Sequence, residues 1–308
     1  EGFPPREGSE RRQSRDEGGR RWIAVERAYW FPPARSPGTV SRRLRRLAAA
    51  LGLDCRETGR GRDTLVVAFA FPDGREVFAL RFARQAFAAI CLDDLGYRWE
   101  AAKRVVALPC KLTCAVIPLT PHARAVASLA AAGGKEVFLH MPMASRGRMP
   151  EVPEYGMMVR GGQTDPQVRA NLARAFANLP NAAGMNNHEG SLATEDRVLM
   201  AAVMTVVKER GLVFLDSGTT VDSVAWRVAR DAGVRWAKRD VFLDDPMPKP
   251  AVEAAFARLV ALARSRGRAI GIGHPHPSTL DVLERRIPEA QARGIVFVPV
   301  SALAAMGR

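Results

Sequence analysis

The sequence is short of several things, and each shortage removes a class of protein. Among its 308 residues no run of 18 or more is apolar, so no transmembrane helix is expected. The four cysteines, Cys55, Cys91, Cys110 and Cys114, do not suggest a disulfide framework, although one bridge stays open. The C-x3-C pair of Cys110 and Cys114 has no second pair to complete a structural zinc site. Cys91 and Cys114 lie in apolar runs and read as small core residues. Neither G-x-G-x-x-G nor G-x-x-x-x-G-K-[ST] follows an apolar run, so the usual nucleotide-binding loops are unsupported. Aromatic residues make up only 7%, and no finger, homeodomain or RNP-like pattern occurs.

What is abundant is arginine, which supplies 40 of the 46 basic residues behind a net charge of +14. The arginines are spread along the chain, which fits an Arg-rich composition better than a nucleic-acid footprint. No nucleic-acid partner is expected, and a basic nucleic-acid binder is kept only as a minor reading. A weak attraction to anionic cell-envelope polymers is compatible with the charge. The chain opens on Glu1 rather than Met. An upstream leader or anchor is expected to have been removed, which goes with a cell-envelope or periplasmic location.

Three regions differ in texture. Residues 1–21 are rich in Gly, Arg and Glu and nearly free of apolar side chains, so a disordered tail is expected. Residues 22–85 read as a small α+β accessory domain. "SRRLRRLAAALGL" has helical spacing from residue 41 to 53 with Ser41 as N-cap, and a β-hairpin is expected around Pro72-Asp73-Gly74. From residue 86 to 308 short apolar runs alternate with amphipathic helical segments. That rhythm predicts parallel β-α units, seven or eight of them, which fit a complete or incomplete barrel of the TIM type. An open doubly wound sheet is the alternative.

The polar residues of this third region fall in a pattern. "ICL" ends in Asp93-Asp94, "EVFL" in His140, "GMNN" in His188, "VFL" in Asp216, and "IGIG" in His274 with His276 two residues on. In parallel α/β folds the carboxyl ends of strands share one face, so these side chains should meet there. Each has an ordinary reading when taken alone. Asp93 or Asp94 can cap the next helix, His140 can be a satisfied core histidine, and His188 can bond within a turn. Asp216 can cap a helix near Val221, and His274 and His276 can be loop residues. Together they suit metal-assisted hydrolysis, in which His and carboxylate ligands hold a divalent ion and a further carboxylate takes a proton.

"ICLDDLGYR", "KEVFLHMPM", "GMNNHEGS", "LVFLDSGTT", "RDVFLDD" and "AIGIGHPHPSTL" resemble, in that order, the motifs of the divergent polysaccharide deacetylase family, a branch of the NodB-like carbohydrate esterases. The resemblance covers residues 87–303. It implies a distorted barrel of NodB-like type, a divalent metal, usually zinc, and a polysaccharide substrate. Carried over, it makes Asp93 the catalytic base and Asp94 a metal ligand, with His140 a second ligand and His274 a catalytic acid. Ala144 stands where the wider superfamily has a second motif histidine, so His188 is inferred as the third ligand. The superfamily's arginine, which orients the base, has no counterpart in "NNHEGS". Glu189 stands where this family leads us to expect Met. Asn186 and Asn187 are expected to hold ligands or bind sugar hydroxyls, and Asp216 and His276 to line the substrate site, with segment 141–163 along the groove. The function implied is removal of N- or O-linked acetyl groups from a cell-envelope polysaccharide. A catalytically silent protein, binding glycan or a partner through the same cleft, is the alternative.

Overall fold

The structure, a computed structural model, describes residues 10–17, 20–31, 36–61, 64–147 and 153–305. The chain divides into two compact units, Glu1–Ala86 and Phe87–Arg308. Among the described residues no helix is long and apolar enough to cross a membrane.

The first unit is a five-stranded sheet with one helix. Its elements are β1 (Arg11–Glu17), β2 (Arg20–Phe31), α1 (Pro37–Ala50), β3 (Asp54–Arg60), β4 (Thr64–Ala70) and β5 (Glu76–Arg84). The strand order is β1-β2-β5-β4-β3. Residues 11–17, expected in a disordered tail, instead form β1 and pair antiparallel with β2 from Arg11↔Glu26 to Glu17↔Arg20. Low apolar content did not prevent this, because the ladder is made by backbone groups. Opposite charges meet beside it: Glu10 accepts from Arg12 and Arg27, and Asp16 from Arg21. Residues 1–9 of that expected tail lie outside the described residues.

α1 begins five residues earlier than a cap at Ser41 predicts. Ser36, not Ser41, is the N-cap, accepting from the Thr39 N–H at 3.2 Å, and Pro37 opens the helix. A serine cap followed by proline is a stronger start signal than the leucine periodicity alone. Ser41 is buried within the helix and donates to Glu57. The hairpin expected at Pro72-Asp73-Gly74 forms, with Gly74 at φ 89°. Val40 and Ala48 of α1 close over Leu65, Val67, Phe69, Leu80 and Phe82 of the sheet.

In the second unit strands and helices alternate: β6 (Ala86–Leu95), α2 (Trp99–Ala107), β7 (Thr113–Val116), α3 (Ala123–Ala132), β8 (Glu136–Met143), α4 (Asp165–Asn178), β9 (Gly184–Glu189), α5 (Arg197–Glu209), β10 (Val213–Asp216), α6 (Ala225–Asp231), β11 (Arg235–Lys238), β12 (Val241–Phe242), α7 (Lys249–Arg266), β13 (Arg268–Gly273), α8 (Pro277–Ala292), β14 (Ile295–Phe297) and α9 (Val300–Ala305). The strand order is β11-β10-β9-β8-β7-β6-β13-β12, with β14 pairing β6 off this path. Every pairing along the path is parallel.

The two ends of that path are joined by two residues of chain. Arg239 N–H donates to Asp216 O at one edge, and Asp240 N–H to Ile270 O at the other. A flat sheet cannot bring its first and eighth strands so near, so the sheet is curled, as the distorted barrel implied by the family resemblance requires. Its interior holds Cys91, Ala115, Phe138, Leu215, Ile270 and Ile272, and Val300 and Leu303 of α9 complete that cluster. Burying such side chains is the main favourable contribution, about 25 cal/mol per Å² of apolar surface. The carboxyl ends of β6, β8, β9 and β13 are left to carry polar groups.

Candidate metal centre

Adjacent strand residues point to opposite faces, so Asp93 and Asp94 can share a site only where the strand is irregular. The irregularity is a bulge, not the end of the strand. Leu92 pairs with Cys114, but Leu95, three residues on, pairs with Val116, only two on. The extra residue lets the chain twist. Asp94 takes a left-handed conformation, φ 55°, and so turns its carboxylate to the side of Asp93. Neither aspartate caps α2, whose N-cap is Arg98.

Three potential ligand atoms converge beside the bulge. Asp94 Oδ1 lies 3.2 Å from His140 Nε2 and 2.9 Å from His188 Nδ1, and those two nitrogens are 3.2 Å apart. Four-coordinate zinc, with bonds near 2.0–2.1 Å, spaces its ligand atoms roughly 3.3 Å apart. The triangle is slightly tighter than one face of that tetrahedron. Asp94 Oδ1 is buried with no hydrogen-bond donor directed at it, which is how a ligand oxygen is left when its partner is an ion. The donor set, two imidazoles and one carboxylate, is that of a catalytic zinc site.

The candidate ligand atoms of the histidines are aimed by the partners of their other nitrogens. His140 Nδ1 lies 2.9 Å from Asn186 Oδ1, which can only accept, so Nδ1 carries the proton and Nε2 presents its lone pair. Asn186 Nδ2 then donates to both oxygens of Asp93, at 3.0 Å each, and to Ser217 Oγ at 3.1 Å. One buried amide thus fixes the His140 ring and the Asp93 carboxylate together. Cys91 Sγ, 3.2 Å from Asp93 Oδ1, adds a weak donor, so this cysteine is more than core filling. Asp93 Oδ2 sits 3.6 Å from His140 Nε2.

His274 approaches Asp94 from the end of β13, its Nε2 3.8 Å from Asp94 Oδ2. Its Nδ1 is 3.0 Å from Asp244 Oδ1, and Asp244 Oδ2 accepts from the His274 N–H at 2.6 Å and from Thr279 Oγ1 at 2.8 Å. Gly273 permits the approach, since a Cβ there would stand 3.2 Å from Asp244 Oδ2. Burial alone would lower the pKa of His274; the bond to Asp244 and the charges of Asp94 and Asp93 overcome it and bring it up to about 9. Asp244, Asp245 and the apolar run before them repeat the Leu-Asp-Asp ending of "ICLDD". That repetition is the signal that could have picked out Asp244 as a site residue.

The other expected site residues fall elsewhere. Asn187 is buried and knits loops together, accepting from Ser217 N–H and donating to Glu189 O. Asp216 is fully buried, accepting from Gly218 N–H and Ser223 Oγ. Both face protein rather than an open groove. His276 starts α8, half-buried, with its ring 5.6 Å from that of His274. Asp244, His274 and His276 also cluster closely enough to hold an ion, but both Asp244 oxygens are already committed to His274 and Thr279. Of segment 141–163, residues 148–152 lie outside the described residues, and Tyr155, on a short 3-10 helix (Pro153–Met157), reaches His188.

The profile of the family described as divergent polysaccharide deacetylase matches residues 90–304. The chain is 38% identical to the uncharacterized protein YibQ of Escherichia coli (strain K12), over 65% of this chain and 61% of that protein, so it spans less than two thirds of that relative. It is also 38% identical to an uncharacterized protein of Haemophilus influenzae, over 67% of this chain and 73% of that one. A solved structure of an uncharacterized protein from Agrobacterium tumefaciens C58 superposes with a TM-score of 0.68 at 25% identity, covering 72% of this chain and 90% of that one. The profile match takes in every residue of the centre, and the chain belongs to the divergent polysaccharide deacetylase family.

Proposed function

We propose that the protein is a metal-dependent hydrolase that removes N- or O-linked acetyl groups from a polysaccharide of the cell envelope. The observation that carries this reading is the convergence of Asp94 Oδ1, His140 Nε2 and His188 Nδ1, with Asp93 and His274 beside them. Zinc is the metal proposed, from the donor set. Bound there, it would supply Lewis acidity toward a carbonyl oxygen and acidify water.

The chain's own residues divide the proton work. Asp93, held as an acceptor by Asn186, takes a proton from the attacking water at a carboxylate oxygen. His274 gives a proton from Nε2 to the departing amine or alcohol. Asp244 accepts from Nδ1–H, which fixes the ring and favours its charged form. His276, at the edge of the same face, is proposed to contact the glycan.

The test is acetate release from N-acetylated chito-oligosaccharides and from acetylated peptidoglycan by zinc-loaded protein. Release that disappears in Asp93→Asn supports the reading. Zinc-loaded protein that releases no acetate from either would make this a silent binder on the same fold. Protein that takes up no zinc would remove the ligand assignment itself.

A further inference from the structure

Every metal-binding imidazole needs a partner for its second nitrogen, and the two rings here are partnered differently. His140 binds a buried amide, whereas His188 turns Nε2 outward to Tyr155, whose hydroxyl is 2.9 Å away. The Nδ1 of His188 faces Asp94 Oδ1 and His140 Nε2. For Nδ1 to act as a ligand, the ring proton must sit on Nε2, and the Tyr155 oxygen accepts it there.

The hydroxyl's own proton is directed at a carboxylate. Tyr155 Oη lies 3.5 Å from Glu189 Oε1, and Glu189 Oε2 accepts from Ser145 Oγ at 2.8 Å. Glu189 adopts φ 54° at the end of β9. A residue in that conformation is strained unless the surroundings repay it. Glycine stands next in the chain, so the left-handed turn is made at Glu189 as well as at Gly190.

We infer that Tyr155 and Glu189 are positioning residues that set the zinc affinity of the centre, through a carboxylate–phenol–imidazole relay ending at His188 Nδ1. This rests on the ligand set proposed above. The relay assigns a role to Glu189, the residue that departs from the methionine the family resemblance predicts. A carboxylate-backed hydroxyl pulls on the Nε2–H, leaves Nδ1 a better donor, and holds the ring plane toward Asp94. Partners of this kind, outside the ligand set, change metal affinity about 10–100-fold.

The experiment measures Zn²⁺ binding by competition with a chromophoric chelator, on the metal-stripped full chain and its variants. Tyr155→Phe is expected to weaken binding about 10–100-fold. Glu189→Met should weaken it less in the otherwise native chain, and not at all once Tyr155→Phe is present. The visible spectrum of the Co²⁺ form should shift in Tyr155→Phe, a change that loss of packing elsewhere would not produce. Affinity unchanged in Tyr155→Phe, or an effect of Glu189→Met that ignores Tyr155, would overturn the relay. Should Tyr155→Phe fail to fold, Glu189→Met still decides, because unchanged affinity there also overturns the relay. The outcomes separate the two inferences. If His188→Ala abolishes binding while Tyr155→Phe does not, only the relay is lost; if His188→Ala binds like the native chain, the ligand set is lost.

Discussion

Asn186 donates one amide nitrogen to both carboxylate oxygens of Asp93, 3.0 Å to each, from the centre of the buried site. The arginine that orients the base in the wider superfamily has no counterpart in "NNHEGS". A neutral amide holds Asp93, the proposed base, instead. The difference is physical: a guanidinium would bring a positive charge to the carboxylate, and an amide brings a donor without one.

Replacing Asn186 with Leu should therefore damage two groups at once. Asp93 would stay buried without its main donor, and the His140 Nδ1–H would lose its acceptor. A buried polar group left unpaired costs about 1–3 kcal/mol. Urea unfolding of the metal-free variant should show a loss of that size, and Zn²⁺ affinity should fall about 10–100-fold with His140 no longer held. Stability equal to the native chain would show that the amide is not engaged as described.

Base and ligand substitutions should separate cleanly although the two aspartates are neighbours. Asp93→Asn keeps Asp94 Oδ1, His140 Nε2 and His188 Nδ1 in place, so bound zinc measured by elemental analysis should stay near the native level while acetate release disappears. Asp94→Asn, His140→Ala and His188→Ala should each lose the metal. Zinc retained in all three would place the ion elsewhere.

The pairing of His274 with Asp244 has a definite pH signature. The folded pKa, about 9, lies above the roughly 6.5 of a free imidazole. The unfolded chain therefore releases its proton first as pH rises. The stabilisation from the charged ring is complete below about 6.5 and is lost as pH climbs from there through about 9. In metal-free protein, NMR titration of His274 should give a midpoint in that upper region. Asp244→Asn should bring it down markedly, because burial then acts against fewer opposing charges. The stability loss between pH 6.5 and 9 should shrink with it. A midpoint that ignores Asp244→Asn would remove this aspartate from its proposed part in proton donation.

Much of this arrangement was legible in the chain, for identifiable reasons. His140, His188 and His274 each lie at or near the carboxyl end of a strand, and parallel strands bring such ends together whatever their separation in sequence. Asp244 follows the same Leu-Asp-Asp rule as Asp94, but its part comes from the ring it supports, which sequence alone does not show. Tyr155 follows no apolar run at all. It sits on an irregular connection, and nothing in sequence periodicity reports where a loop side chain lands. β1 was missed because backbone pairing leaves no hydrophobic signature. The bulge in β6 was missed because register depends on the partner strand, here two residues of β7 against three of β6.

That bulge leads to the final prediction. Asp94 holds φ 55°, a conformation that costs an ordinary L-residue about 1–2 kcal/mol and glycine almost nothing. The function proposed needs the strain, because without the left-handed turn the carboxylate of Asp94 would point away from Asp93 and the two histidines. Asp94→Gly and Asp94→Ala both remove the ligand, and both remove the same negative charge from beside His140 and His188, so they differ mainly in backbone preference. Metal-free Asp94→Gly should therefore be more stable than Asp94→Ala by about 1 kcal/mol, read as a shift in the urea midpoint at constant slope. Neither should bind zinc. If Asp94→Ala is the more stable of the two, position 94 does not keep its left-handed conformation in solution, and the account of how two adjacent carboxylates enter one site fails with it.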